Sequence, residues 1–135
     1  MTYEYNDGGR LKAGFKGKTR DCGVRALAIA LGREDDYKEL YNELAVVNKL
    51  HGHKKSAALG LYKNVFVEVL TKYGFVWCSS PTFEGRKARA SDLPPHTIIA
   101  RMAGHFACVK NSVIQDSWDS SHKMVYGYWI QGKCN

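Results

Sequence analysis

The sequence predicts an α+β domain, with helices in the first half packed on an antiparallel β-sheet built by the second. Two observations carry this. Apolar residues recur at three- and four-residue intervals as far as Gly74, and from Phe75 onward they give way to short β-rich runs separated by turn signals. Helical segments followed by hairpin-connected strands are the pattern of that class. A third observation sets the scale: the chain has 135 residues, 44% hydrophobic and 24% charged, the balance of one ordinary globular domain. No internal repeat, low-complexity tract or linker divides it, so a single domain over residues 1–135 is expected. At this length a chain buries about 65–70% of its unfolded surface, enough for a core without metals or disulfides as staples.

Residues 1–20 are polar, hold four of the thirteen glycines and carry Arg10, Lys12, Lys16, Lys18 and Arg20. They are expected to form a basic, loosely structured arm. Asp21 is placed to cap a helix over Cys22–Leu31, rich in Ala and Leu and stopped by Gly32. Arg25 is its only charge, which marks a buried central helix. A second helix begins near Asp35 and Asp36, with Tyr37, Leu40, Tyr41, Leu44 and Val47 on one face and Lys38, Glu39 and Glu43 on the other. A third carries Tyr62, Val65, Phe66, Val69, Leu70 and Tyr73 and ends at Gly74. Strands are predicted at Phe75–Cys78, Thr97–Met102, His105–Lys110, Val113–Trp118 and Lys123–Ile130, with loops at Pro81–Arg89 and Asp92–Pro95.

The N-terminus shows no basic segment followed by an apolar stretch, so a secretory signal is not expected. The longest purely apolar run, Ala26–Leu31, falls far short of the roughly 20 residues that span a bilayer. A cytoplasmic protein with no membrane association follows, and its four cysteines are then expected to be free thiols. Cys22, Cys78, Cys108 and Cys134 lie far apart with no C-x-x-C pair, which argues against a zinc site, and no cofactor is implied. The net charge of +7 concentrates in the arm, in Lys49–Lys55 and in Arg86–Arg89. Weak attraction of the arm to nucleic acid or to an acidic protein is the corresponding expectation.

Cys22 stands where a helix begins, facing unpaired backbone N–H groups and the positive end of the helix dipole, both of which favour thiolate. Asp21 beside it opposes that effect, and a cysteine heading a buried helix also serves as a small core residue. A nucleophile needs a base, and strand parity supplies a candidate. If Asn111-Ser112 is a two-residue hairpin turn, Lys110 pairs with Val113, Val109 with Ile114 and Cys108 with Gln115. His105 and Asp116 then share a face, with Trp118 opposite His105 and able to keep water from a His–Asp hydrogen bond. A one-residue change in the loop would send Asp116 to the other face. Cys22, His105 and Asp116 together make a nucleophile, an imidazole and a carboxylate that orients it. The plainer reading of the last two is a strand histidine beside a hairpin aspartate.

Thr-Arg-Asp-Cys22-Gly at the head of an apolar helix, Gly-His105-Phe-Ala-Cys-Val on a later strand and Gln-Asp116-Ser-Trp118 after it resemble the papain-like cysteine peptidase superfamily. Asp-Ser-Trp is similar to the Asn-Ser-Trp sequence of that superfamily, and Asp-Cys-Gly is most similar to its small C39-like members from bacteria and phages. The resemblance implies a papain-like fold with the nucleophile at the head of a buried central helix. It also implies a thiol-dependent hydrolase, a cysteine peptidase or isopeptidase acting on a protein or peptide through an acyl-enzyme, with Cys22, His105 and Asp116 catalytic. Amidase or acyltransferase chemistry would use the same three residues. Family members carry a Gln about six residues before the nucleophile as an oxyanion donor; here no Gln precedes Cys22, and Lys16 or Thr19 is the candidate replacement. The alternative is a non-catalytic module of the same fold that binds nucleic acid or an acidic protein through its basic surface. For Arg25, one turn after Cys22, a salt bridge to an acidic neighbour is expected. His51-Gly-His53 beside Lys54 and Lys55 reads as an exposed basic loop, and His122 as a turn residue.

Overall fold

The computed structural model describes residues 2–16, 21–52 and 63–134. Among these the chain runs β1 (Tyr3–Tyr5), α1 (Cys22–Ala30), α2 (Tyr37–Leu50), α3 (Lys63–Lys72), β2 (Phe75–Ser79), β3 (Thr97–Met102), β4 (His105–Lys110), β5 (Val113–Asp116) and β6 (Val125–Gln131). Short 3-10 turns at Glu34–Asp36 and Ala90–Asp92 lead into α2 and interrupt the connection from β2 to β3. The class is α+β, with a six-stranded sheet in the order β1-β5-β4-β3-β6-β2. No helix among the described residues is long and apolar enough to cross a membrane.

The helices follow their apolar periodicity. In α1 every residue from Gly23 to Ile29 is buried, as a helix apolar all round must be. α2 buries Tyr37, Leu40 and Leu44 and exposes Lys38 and Glu39, and α3 buries Val65, Phe66, Val69 and Leu70. All three lie on one face of the sheet, over Ile99, Cys108 and Trp129. Alternate strand residues point the other way, so Ile98, Ala100, Met102, Ala107, Val109 and Ile114 form a second layer. That layer is covered by Ala90 and Leu93 of the connection between β2 and β3. Tyr62, expected in the third helix, lies outside the described residues, as do His53, Lys54 and Lys55 of the expected basic loop; His51 contacts Glu68 at 3.2 Å.

Three expectations are corrected. The sheet is mixed rather than antiparallel, because β1 pairs parallel to β5 with Tyr3 opposite Ile114 and Tyr5 opposite Asp116. The arm is correspondingly not loose over its described part. Asn6 N–H donates to Asp116 O at 2.8 Å, and Phe15 stacks on Tyr37 and Tyr41 at centroid distances of 5.3 and 4.8 Å. Gly8 and Gly9 have φ of 73° and 89°, and a Cβ on either would run into the backbone carbonyl of Arg25 or Glu34. These glycines permit close approach of the arm to α1 and to the 3-10 turn after it rather than slackness. Finally, Cys78 and Cys134 form a disulfide, with Cα atoms 5.7 Å apart and a separation of 56 positions in sequence, so the expectation of four free thiols fails. β2 and β6 are neighbours in the sheet, and the chain beyond β6 returns to β2, a proximity that sequence spacing does not express.

Candidate active site

The site lies where α1 begins and β4 and β5 meet. Cys22 is the first residue of α1, and the Arg25 N–H closes the first helical bond onto Asp21 O at 3.0 Å. The N–H groups before it have no intrahelical acceptor, so the thiol sits at the positive end of the helix. His105 opens β4. Its relation to Asp116 is set by the hairpin turn, where Asn111 and Ser112 both have positive φ, 50° and 68°, the geometry of a type I′ turn. The ladder that follows pairs Lys110 with Val113, Val109 with Ile114 and Cys108 with Gln115. His105 and Asp116 therefore fall on one face, and His105 Nε2 lies 2.6 Å from Asp116 Oδ2.

Asp116 is held from several sides. Its Oδ2 also accepts from Ser120 Oγ at 2.9 Å, and its Oδ1 accepts from the Ser117 N–H at 2.7 Å. Trp118, itself exposed, packs its ring 4.9 Å from that of His105, centroid to centroid. With Nε2 taken by Asp116, Nδ1 is the ring nitrogen left for Cys22, which hydrogen-bonds to His105. Burial alone would raise the Cys22 thiol, but the hydrogen bond and charge of His105, the Phe106 N–H and the charge of Arg25 outweigh it and hold the thiol below its ordinary value. For His105, burial works toward the neutral ring and is outweighed by the bonds to Asp116 and Cys22, which push it up to about 9. Both shifts favour a thiolate beside an imidazolium.

The remaining thiols differ in kind. Cys108 is buried in the core, and burial pushes it up to about 12, while Cys78 and Cys134 are consumed by their disulfide.

Behind Cys22 is a second buried group of charges. Asp21 makes no side-chain cap bond to α1. Its carboxylate instead accepts from Arg25 Nη1 at 2.5 Å, from Arg10 Nε at 2.9 Å and from the Tyr37 hydroxyl. Those partners offset the charge that would otherwise oppose a thiolate next door. Arg25 also reaches toward the site, with Nη2 4.0 Å from Asp116 Oδ1, so one cation links the two buried carboxylates.

The structure thus brings Cys22, His105, Asp116 and Trp118 together. Lys16 is exposed and its side chain makes no hydrogen bond or ion pair with Cys22 among the described residues; its carbonyl accepts from Nη2 of Arg10, whose Nε binds Asp21. Thr19 lies outside the described residues. His122 is exposed, its ring 6.3 Å from that of Trp118. Sequence reasoning missed Ser120, Arg10 and Tyr37. The clue for Tyr37 was its place on the apolar face of α2, since a buried tyrosine hydroxyl needs an acceptor; Arg10 and Ser120 carried no local signal. Among the described residues no three His, Cys, Asp or Glu side chains converge as metal ligands.

Chemically, the arrangement holds a thiol, a proton carrier and an orienting carboxylate in hydrogen-bonded series, beside helix N–H groups that can receive negative charge. No family model, curated protein or solved structure matches this chain.

Proposed function

We propose that the chain is a thiol-dependent hydrolase, a papain-like cysteine peptidase or isopeptidase that works through an acyl-enzyme. The observation that carries this reading is the connected series from Cys22 through His105 to Asp116, with the thiol depressed and the imidazole raised. The Cys22 thiolate attacks a carbonyl carbon, and negative charge develops on the carbonyl oxygen. Backbone N–H groups at the head of α1 are donors for that charge; of the side-chain donors expected, Lys16 is exposed and Thr19 lies outside the described residues. The imidazolium of His105 gives its proton to the leaving amine. It then takes one from water, and the hydroxide equivalent releases the acyl group from Cys22. Asp116 keeps Nδ1 of His105 aimed at the sulfur and stabilises the charged ring without taking the proton. Ser120 and the Ser117 N–H hold Asp116 in turn.

p-Nitrophenyl acetate tests this without a known substrate, because an activated ester acylates a competent thiolate regardless of recognition. A burst of nitrophenolate stoichiometric with protein is expected, with the acetyl group on Cys22. Asp116→Ala should keep the fold and lower the acylation rate by about 10²-fold, less than loss of Cys22 or His105 itself. Absence of a burst, or acetylation elsewhere, would favour the binding-module reading.

A further inference from the structure

We propose that a groove between the β2–β3 connection and the start of β6 is a substrate subsite that takes an apolar side chain from an extended peptide, with an acidic residue next to it. This rests on the hydrolase reading above. The groove has a volume of about 550 Å³, within the range of small-ligand sites, and Pro81, Phe83, Ala88, Val125 and Tyr126 give it an apolar lining. Phe83 and Tyr126 are exposed although large and aromatic. Such side chains at a concave rim suit contact with a partner.

The wall is built rather than slack. Phe83 and Arg86 form an isolated β-bridge, the Arg86 guanidinium stacks 4.0 Å over the Phe83 ring, and its two Nη atoms fork onto Asp92 at 2.7 and 3.0 Å. Asp92 also accepts from the Arg89 N–H at 2.9 Å, and the Val125 N–H donates to Ala88 O at 2.9 Å. A preformed groove loses little entropy when it is filled.

Its position and charge define the occupant. Met102 pairs with His105 on one side and with Val125 on the other, so the groove and the candidate base share one end of the sheet. Two strand spacings separate His105 from Val125, about 10 Å. At about 3.3–3.6 Å per extended residue, the groove receives the third residue from the scissile bond. Lys87 lines it, and Arg101 stacks 5.9 Å over the Tyr126 ring. Neither forms a salt bridge among the described residues, whereas Arg86 is neutralised by Asp92. Two uncompensated cations beside an apolar groove match a carboxylate beside an apolar side chain.

The test uses epoxysuccinyl peptides, which alkylate a thiolate by ring opening and carry an arm on each side of the reacting carbons. Inactivation rates are compared for Leu against Gly at the third residue of either arm, and for Glu against Lys beside it. The unmodified protein should favour Leu at least 10-fold on one arm, and Glu over Lys on that same arm. Tyr126→Ala should abolish the Leu preference and Lys87→Glu should reverse the acidic one, while both leave alkylation by iodoacetamide unchanged. Equal rates for all peptides, with iodoacetamide still modifying Cys22, would overturn the subsite and leave the hydrolase reading standing. A Cys22 inert to both reagents would overturn both.

Discussion

Cys22→Ala should abolish acyl transfer to p-nitrophenyl acetate and to any peptide amide, and His105→Ala should do nearly the same. Each is expected to cost about 10⁴–10⁶ in rate, because members of a nucleophile–base unit act together and losing either loses most of the unit's effect. The double variant should be scarcely worse than either single one. Cys22 is half-buried and Ala is close to it in size, so the fold should survive and the loss is assigned to chemistry. The measurement is the rate of nitrophenolate release, with far-UV circular dichroism as the check on folding. Additive losses in the double variant would mean that the two side chains do not work as one unit.

Arg25→Met should have the largest effect on stability. The guanidinium is buried between Asp21 and Asp116, and its removal takes a cation from two buried carboxylates, leaving Asp21 to Arg10 and Tyr37 and Asp116 to His105, Ser120 and the Ser117 N–H. Breaking a buried pair in this way costs about 3–5 kcal/mol, or roughly 10–20 °C in Tm for a domain of this size. Arg25 also helps to hold the Cys22 thiol down, after burial and His105 have had their larger effects. The pH profile of Cys22 alkylation should therefore move upward in the same variant, measured at a temperature where it remains folded. Arg25→Lys keeps the charge but loses the fork, and should recover part of the alkylation profile and less of the stability. A Tm within 2 °C of the parent's, on the order of 0.5 kcal/mol, would contradict a structural role for the network.

How far the sequence reveals this arrangement depends on the range of the signal. The hairpin is legible because its turn is local: Asn111-Ser112 tolerates the positive φ of a two-residue loop, and the period of two carries that register to His105 and Asp116. α1 is legible because an Ala- and Leu-rich run with one charge can only be central. β1 is not, since three residues among glycines and polar side chains show no alternation, and their partner strand lies more than a hundred residues away. The disulfide escapes for a similar reason, as it depends on which strands become neighbours. Asp21 shows the limit most clearly. A residue preceding a helix reads as a cap, but here a buried Arg25 and Arg10 compete for its carboxylate and win, because an unpaired buried cation would cost more than an unfilled cap.

Whether Cys22 is an activated thiolate is read from its alkylation by iodoacetamide as a function of pH, with each cysteine located by mass spectrometry. Cys22 alone should react in the folded protein, and at a pH well below the ordinary free-thiol midpoint of about 8.5. Cys108, pushed up to about 12 by burial, should stay unmodified until the protein unfolds. Reaction of Cys108 first, or a Cys22 profile with the ordinary thiol midpoint, would contradict an activated Cys22.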